Sequence, residues 1–251
     1  MQMGAVVDVE VRKLLRDPTE IFTRAVQPIL WLLVFGQVFG KMHGLSTGSL
    51  SYMAFLAPGI LAQSVLFTGI FYGIAIIWER DLGIVHKMLV SPAYRGALVS
   101  GKALSAGARG LAQGTVIYIL AALLGVPLRL SPGALALGMV FIILGAAVFA
   151  TLSLVVACLV KTRERFMGIG QLLTMPLFFA SNAIYPLELM PRWLQVTTYC
   201  NPVTYLVDGL RSVMVMGGQS SLGLSVDLLV LLGTLVLLVF VGSKLYPKVV
   251  V

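Results

Sequence analysis

Six long apolar stretches constrain this chain most, because each is long enough to cross a lipid bilayer as a helix. They cover residues 22–40, 53–77, 103–125, 133–160, 166–184 and 225–243. A helix needs about 20 residues to cross about 30 Å of hydrocarbon, and a backbone in lipid must satisfy its own hydrogen bonds, as a helix does. A composition of 59% hydrophobic and 11% charged residues excludes a soluble domain. The sequence therefore predicts one all-α membrane domain over residues 1–251, with six transmembrane helices.

Basic residues predict the orientation of these helices. If the N-terminus is cytoplasmic, thirteen of the 18 Lys and Arg residues fall in cytoplasmic segments, four fall outside, and Arg109 lies within the third stretch. Lys and Arg accumulate on the cytoplasmic side of membrane proteins, so both termini are expected in the cytoplasm. The net charge of +8 then reflects topology and anionic lipid rather than nucleic acid. These patterns indicate a multi-pass protein of a prokaryotic inner membrane.

The first twenty residues read as an interfacial helix rather than a cleavable signal, because acidic residues are mixed with the basic ones. Val7, Val11, Leu14 and Leu15 recur at helical spacing, and the pattern stops near Pro18. We expect an amphipathic helix that lies on the cytoplasmic face of the membrane.

The chain lacks the groups that power or catalyse reactions within a membrane. All ten acidic residues lie outside the six stretches or at their ends, whereas ion-coupled transporters usually keep a carboxylate or His at mid-membrane. The two His and two Cys are too scattered for a metal site. Residues 96–103 match the spacing of a phosphate-binding loop but end in Ala103, where Ser or Thr must bind magnesium. We expect no catalytic residue, cofactor or metal in this chain.

Two segments between the apolar stretches have unusual patterns. After the second stretch, Leu82, Val85, Met88 and Leu89 form an apolar stripe at helical spacing, which predicts a short amphipathic helix parallel to the membrane. Between the fifth and sixth stretches, an apolar segment is broken by three prolines, which predicts short re-entrant helices on the outer side. Those prolines are Pro186, Pro191 and Pro202.

These two segments carry a family resemblance. The inner one contains Glu79-Arg80-Asp81-x-Gly83 and ends at Ser91-Pro92. The outer one reads Tyr185-Pro186-Leu187, Met190-Pro191-x-Trp193-Leu194, Asn201-Pro202-x-Thr204-Tyr205 and Asp208-Gly209-Leu210-Arg211. With them the chain resembles the membrane subunit of a type-2 ABC exporter, close to the daunorubicin-resistance-like permeases. His86 departs from the family, which commonly has an acidic residue there.

The resemblance implies a homodimer bound to two ABC ATPase subunits, which hold ATP and magnesium. It implies ATP-driven export of a hydrophobic or amphipathic substrate such as a drug, lipid or glycoconjugate. The coupling helix would span residues 79–90, with the contacts to the ATPase made by Glu79, Arg80, Asp81, Leu82, Gly83, Val85, Met88 and Leu89. An external gate would be formed by Tyr185, Pro186, Asn201, Pro202 and Tyr205. Asn201 is expected to cap the helix that follows it, accepting from a backbone N–H near Thr204.

Large aromatic residues suit a hydrophobic cargo, although the same residues also pack helices together. The candidates for a substrate path are Phe35, Phe39, Phe67, Phe71, Phe178 and Phe179. Two other classes of function stay open: an ATP-independent lipid scramblase or channel-like protein, and a purely structural membrane subunit. The amphipathic inner helix favours the exporter, because a passive scramblase needs no charged docking helix.

The basic-residue asymmetry predicts a specific labelling pattern. A cysteine introduced at Ser221 should react with an impermeant thiol reagent added outside intact cells, whereas one at Thr162 should react only after the membrane is opened. Labelling is measured by gel fluorescence in a chain whose native cysteines are replaced by Ser. The reverse pattern would contradict the orientation.

Overall fold

The computed structural model describes residues 19–40, 50–82, 95–160 and 162–246, and these ranges are predominantly helical. The α-helices of the described residues are α1 (Thr19–Gly40), α2 (Tyr52–Asp81), α3 (Arg95–Leu123), α4 (Pro132–Leu159), α5 (Arg163–Phe179), α6 (Arg192–Tyr199), α7 (Pro202–Met214) and α8 (Leu224–Leu245). A 3₁₀ turn covers Leu187–Leu189. The all-α prediction is confirmed for these ranges.

Four helices of the described residues are long and apolar enough to cross a membrane. They are α2, the Val99–Leu123 part of α3, α4 and α8. The first expected stretch forms α1, whose apolar part is the shorter segment Val26–Gly40, and the fifth forms the 17-residue α5. Four of the six expected spans are therefore supported by length and composition.

Several helices do not begin or end where the apolar stretches do, and α2 and α3 extend through polar residues. Helix α2 continues to Asp81 rather than ending near residue 77, and α3 begins at Arg95 rather than at residue 103. Helix α5 ends at Phe179, and Ala180 caps it. The expected interfacial helix before Pro18 lies outside the described residues. So do Gly83, Val85, His86, Met88, Leu89 and the Ser91-Pro92 stop.

Helix α2 lies at the centre of the described bundle. It packs against α1, α3, α4, α5 and α7, and most of its residues from Tyr52 to Ile77 are buried. Helix α8 is different, since Leu229, Val236 and Phe240 are each exposed by more than half. A helix that is apolar on all sides suits either a buried position or contact with lipid. In this chain α2 takes the buried position, and α8 presents an apolar surface suited to lipid.

Small residues allow α2 to approach α4 closely. A Cβ added at Gly69 would lie 2.6 Å from Phe149 Cβ and 3.1 Å from the Ala150 nitrogen. The Gly73 N–H donates to Ser153 Oγ at 2.9 Å, and that hydroxyl donates in turn to the Ile70 carbonyl. Glycines permit this kind of close backbone packing in membrane bundles. The contact between α2 and α4 is therefore fixed by both shape and hydrogen bonding.

We expect Gly69→Val to destabilise the bundle, because the added atoms meet the backbone of α4. Overpacking of this kind costs about 1–3 kcal/mol. The matched control is Gly233→Val in α8, where a Cβ would have no neighbour within 4 Å. The readout is the temperature at which buried Cys158 becomes reactive to a fluorogenic maleimide, in a chain with the exposed Cys200 changed to Ser. Equal midpoints for the two variants would contradict the close packing.

Candidate functional site

The charged residues expected in the coupling helix form the last turn of α2. Glu79 makes an ion pair with Lys102 of α3. Asp81 Oδ2 accepts from Arg163 of α5 at 3.0 Å. Arg80 donates to the Val160 carbonyl at 3.2 Å, just before α5. The sequence prediction placed these residues in a separate interfacial helix, which was wrong, because their partners on neighbouring helices let α2 continue through them.

An exposed apolar residue follows this charged turn. Leu82 is 67% exposed and is the last described residue before the gap that ends at Arg95. Beside it, the Arg163 guanidinium lies 3.8 Å from the centroid of the Trp78 ring. Leu82 therefore follows directly after a helical turn that is fixed in place. Ion pairs hold this turn to α3 and α5, and a cation–π contact adds a second link to α5. We call Trp78 to Leu82 with its partners Lys102 and Arg163 the charged end of the bundle.

The segment with phosphate-loop spacing is helical. The residues around Gly101 and Lys102 lie within α3, and Lys102 is 5% exposed and bound to Glu79. A phosphate-binding loop must instead wrap its backbone N–H groups around the ligand. The lysine side chain therefore links α3 to the last turn of α2 instead of facing a ligand.

On the opposite end, Asn201 joins the start of α7 to the end of α5. Its side-chain oxygen accepts from the Val203 N–H at 3.0 Å and so caps α7. Its Nδ2 donates to the carbonyls of Leu177 and Ala180 at 2.6 and 2.8 Å, at the end of α5. The predicted cap is confirmed, although its donor is Val203 rather than Thr204. The link to α5 was not predicted, because it spans more than twenty residues of sequence.

The other expected gate residues shape the turns around Asn201. Pro202 is the first residue of α7, where the missing N–H of proline costs nothing. The Tyr205 hydroxyl donates to the Tyr199 carbonyl at 2.7 Å, and the Tyr185 hydroxyl donates to the Phe179 carbonyl. Pro186 precedes the 3₁₀ turn. Each tyrosine therefore closes the end of a helix, and the gate residues are distributed over the segment from α5 to α7.

Buried charges in this outer segment were missed by sequence reasoning. Asp208 and Asp227 are fully buried, and the Ser220 hydroxyl lies 3.0 and 2.9 Å from one oxygen of each. The Leu222 N–H also donates to Asp208 at 2.9 Å. Arg211 is 5% exposed and donates to the Asn182 carbonyl at 2.8 Å. One signal was available in the sequence: Asp208 and Arg211 are three residues apart, which places both charged side chains on one face of a helix.

The aromatic residues expected along a substrate path separate into two groups. Phe35 stacks on Trp31 at 4.4 Å between ring centroids and on Phe39 at 5.5 Å. Phe178 is buried, and its ring centroid lies 5.5 Å from that of Phe179. Trp31 meets the Phe178 ring edge-on at 5.9 Å, which joins α1 to α5. These four phenylalanines belong to one packed aromatic cluster.

Phe67 and Phe71 form the other group and line a cavity. Their ring centroids are 6.0 Å apart on α2. The cavity has a volume of about 430 Å³ and lies between α1, α2, α3 and α5. Its other described lining residues are Gln27, Pro28, Gln63, Ser64, Thr68, Ile74, Gln113 and Gln171. Phe67 and Phe71 are therefore the two candidate phenylalanines that line this cavity.

Comparison with known proteins identifies the family. Residues 1–215 match the family described as ABC-2 type transporter. The putative transport permease ycf38 of Cyanophora paradoxa is 29% identical over 202 residues, covering 79% of this chain and 69% of that protein. Nodulation protein J of Rhizobium leguminosarum bv. trifolii is 30% identical over 190 residues, covering 75% and 71%.

A third relative has a similar extent. The inner membrane transport permease YadH of Escherichia coli strain K12 is 24% identical over 191 residues, which is 74% of this chain and 73% of that protein. The permeases of such transporters are membrane subunits that work with an ABC ATPase. The chain therefore belongs to the ABC-2 type transporter family and is a multi-pass membrane transport permease.

Proposed function

We propose that this chain is the membrane subunit of an ATP-driven exporter that moves a hydrophobic or amphipathic substrate out of the cytoplasm or the inner leaflet. It works as a homodimer with two ABC ATPase subunits. Its location is an inner membrane, as in the name of its relative, the inner membrane transport permease YadH. All six apolar stretches cross the membrane in this proposal, including α1 and α5. ATP and magnesium are held by the partner subunits.

The observation that carries this proposal is that α5 is tied at both ends. At its first residue, Arg163 binds Asp81 in the charged end. At its other end, the carbonyls of Leu177 and Ala180 accept hydrogen bonds from Asn201. A helix of 17 residues spans about 25 Å at 1.5 Å per residue. Helix α5 therefore connects the charged end to the outer segment directly, with Pro176 as its one internal proline, next to the carbonyls that Asn201 holds.

The position of acidic groups also supports an external energy source. The partly buried Glu79 lies in the last turn of α2, and the fully buried Asp227 lies in the first turn of α8. The fully buried Asp208 lies within α7, where the Ser220 hydroxyl and the Leu222 N–H donate to it. Ion-coupled transporters place such groups near the membrane midplane, where the ion must bind and be released. Carboxylates at helix ends fit structural roles better, and the work of transport is left to the ATPase.

Transport by the reconstituted complex tests the proposal directly. We expect inside-out vesicles that contain the chain and its ABC ATPase to accumulate a fluorescent amphipathic dye only when ATP is hydrolysed. The control is the same complex with an ATPase that binds ATP without hydrolysing it. ATP-independent redistribution of labelled lipid by the chain alone would instead favour a scramblase.

Coupling should depend on the apolar residues after the charged end. We expect the double variant Leu82→Asp and Leu89→Asp to lose substrate-stimulated ATPase activity, because an unpaired charge in an apolar contact costs several kcal/mol. The matched control is Leu189→Asp, since Leu189 is 52% exposed in the outer segment. The readouts are the stimulated hydrolysis rate and the amount of chain in the membrane. Normal transport by the double variant would refute the docking role.

The outer turn should control release of cargo. Asn201→Leu removes the cap of α7 and both hydrogen bonds to the end of α5, so we expect less transport per ATP hydrolysed while ATPase binding is kept. Thr197→Val is the control, because the exposed Thr197 bonds only within its own helix, to the Leu194 carbonyl. Transport and hydrolysis are measured in the same vesicles. An unchanged ratio would mean that Asn201 is only a structural corner.

A further inference from the structure

The cavity beside Phe67 and Phe71 is unusual for its amide groups. Half of the chain's eight glutamines line it, and they come from four different helices. Gln27 is on α1, Gln63 on α2, Gln113 on α3 and Gln171 on α5. Polar side chains within a membrane bundle are costly and tend to mark functional paths. The convergence of four amides on one space therefore needs an explanation beyond helix packing.

The two deepest amides have polar atoms without a partner. Gln63 is 3% exposed and Gln113 is 2% exposed. Within the part of the chain that the structure describes, Gln63 Oε1 and Gln113 Nε2 are buried and make no hydrogen bond. A buried polar atom left unpaired costs about 1–3 kcal/mol. A ligand that hydrogen-bonds to these two atoms would offset that cost.

A glutamine elsewhere in the chain has its hydrogen bonds satisfied. Gln195 of α6 donates through Nε2 to the carbonyls of both Leu187 and Met190, at 3.2 and 2.9 Å. That side chain holds two turns together and is fully explained by its contacts. Among the described residues, no such hydrogen bond accounts for Gln63 Oε1 or Gln113 Nε2, so a partner for these two atoms would come from elsewhere.

We propose that this cavity binds the neutral, hydrogen-bonding head of an amphipathic cargo. Hydroxyl or amide groups of the cargo contact Gln63 and Gln113, and its apolar part lies against Phe67 and Phe71. This rests on the proposed export function and narrows its substrate class. A primary amide can both donate and accept hydrogen bonds. It therefore suits cargo groups that also donate and accept, such as hydroxyls and amides, in either orientation of the glutamine side chain.

Charge and volume support a neutral head of modest size. The described side chains that line the cavity carry no charge, and an unpaired ionic group buried there would be strongly disfavoured. A volume of about 430 Å³ lies within the range of about 300–1,000 Å³ for small-molecule sites. The cations nearest in sequence are Arg24, three residues before Gln27, and Arg109, four before Gln113. The Arg109 guanidinium lies 5.5 Å from the centroid of the Tyr72 ring.

The test compares two probes on the full chain in phosphatidylcholine nanodiscs, without ATP. Both probes carry the same photoreactive acyl chain, one with a glucosyl head and the other with a phosphate head. We expect saturable crosslinking of the glucosyl probe at lower concentration. Gln63→Leu and Gln113→Leu should each weaken it about fivefold or more, as expected for loss of a buried hydrogen bond. Gln37→Leu, at an exposed α1 residue that does not line the cavity, should leave it unchanged.

A stability measurement separates binding from folding. Without probe, the temperature at which Cys158 becomes reactive should be equal or higher in Gln63→Leu and Gln113→Leu, because each removes an unpaired buried amide. Lower midpoints in both would overturn the proposal by making the amides structural. The proposal would also be overturned if neither substitution changed crosslinking of the glucosyl probe.

The proposal would also be overturned if the chain preferred the phosphate probe and lost this preference in Arg24→Gln or Arg109→Gln. That result would mean that the cavity binds an anionic head. Failure of the export function would look different. In that case the glucosyl probe would still bind and depend on both glutamines, while vesicles with the ATPase would accumulate nothing. Conversely, ATP-driven transport that is unaffected by both Leu variants would remove this inference and leave the export function intact.

Discussion

The contact between α2 and α4 is the interaction on which the rest of the bundle depends. Lipid offers little hydrophobic driving force for helices to associate, so close packing and interhelical hydrogen bonds must supply it. Gly69 brings the two backbones together, and Ser153 bonds to both Gly73 and Ile70. With α2 buried by this contact, its last turn and its cavity-lining face take fixed positions.

Polar interactions at the two ends of the bundle join its helices to one another. The charged end holds the last turn of α2 to α3 and α5, and Asn201 holds the other end of α5 to α7. Lys102 and Glu79 form a largely buried pair, whereas the pair between Asp81 and Arg163 is partly exposed. Together with the bonds of the buried Asn201, these contacts join the helix ends to one another. In the exporter that we propose, these contacts would carry movement of the partner ATPase from the charged end to α7.

Hydrogen-bond satisfaction distinguishes structural polar residues from candidate binding residues. Asn201 and Gln195 use their amides on backbone carbonyls at the ends of helices and turns. Gln63 and Gln113 leave buried atoms unpaired. Nearly all buried polar groups in native proteins make hydrogen bonds, so each buried group that makes none needs an explanation. A cargo that supplies the missing partners is such a reason, and it would select neutral, hydrogen-bonding heads over charged ones.

The sequence by itself determined the helical class, the approximate membrane helices and the family, because apolar run length and the prolines of residues 185–211 are local properties. It also indicated that Asn201 caps the next helix. Only the tertiary structure decided that α2 is central, that Glu79 pairs with Lys102, and that Asn201 reaches α5. It also divided the phenylalanines between a packed cluster and a cavity, and brought four glutamines together. Those features join residues far apart in the chain, and hydrophobic periodicity contains no information about which helices become neighbours.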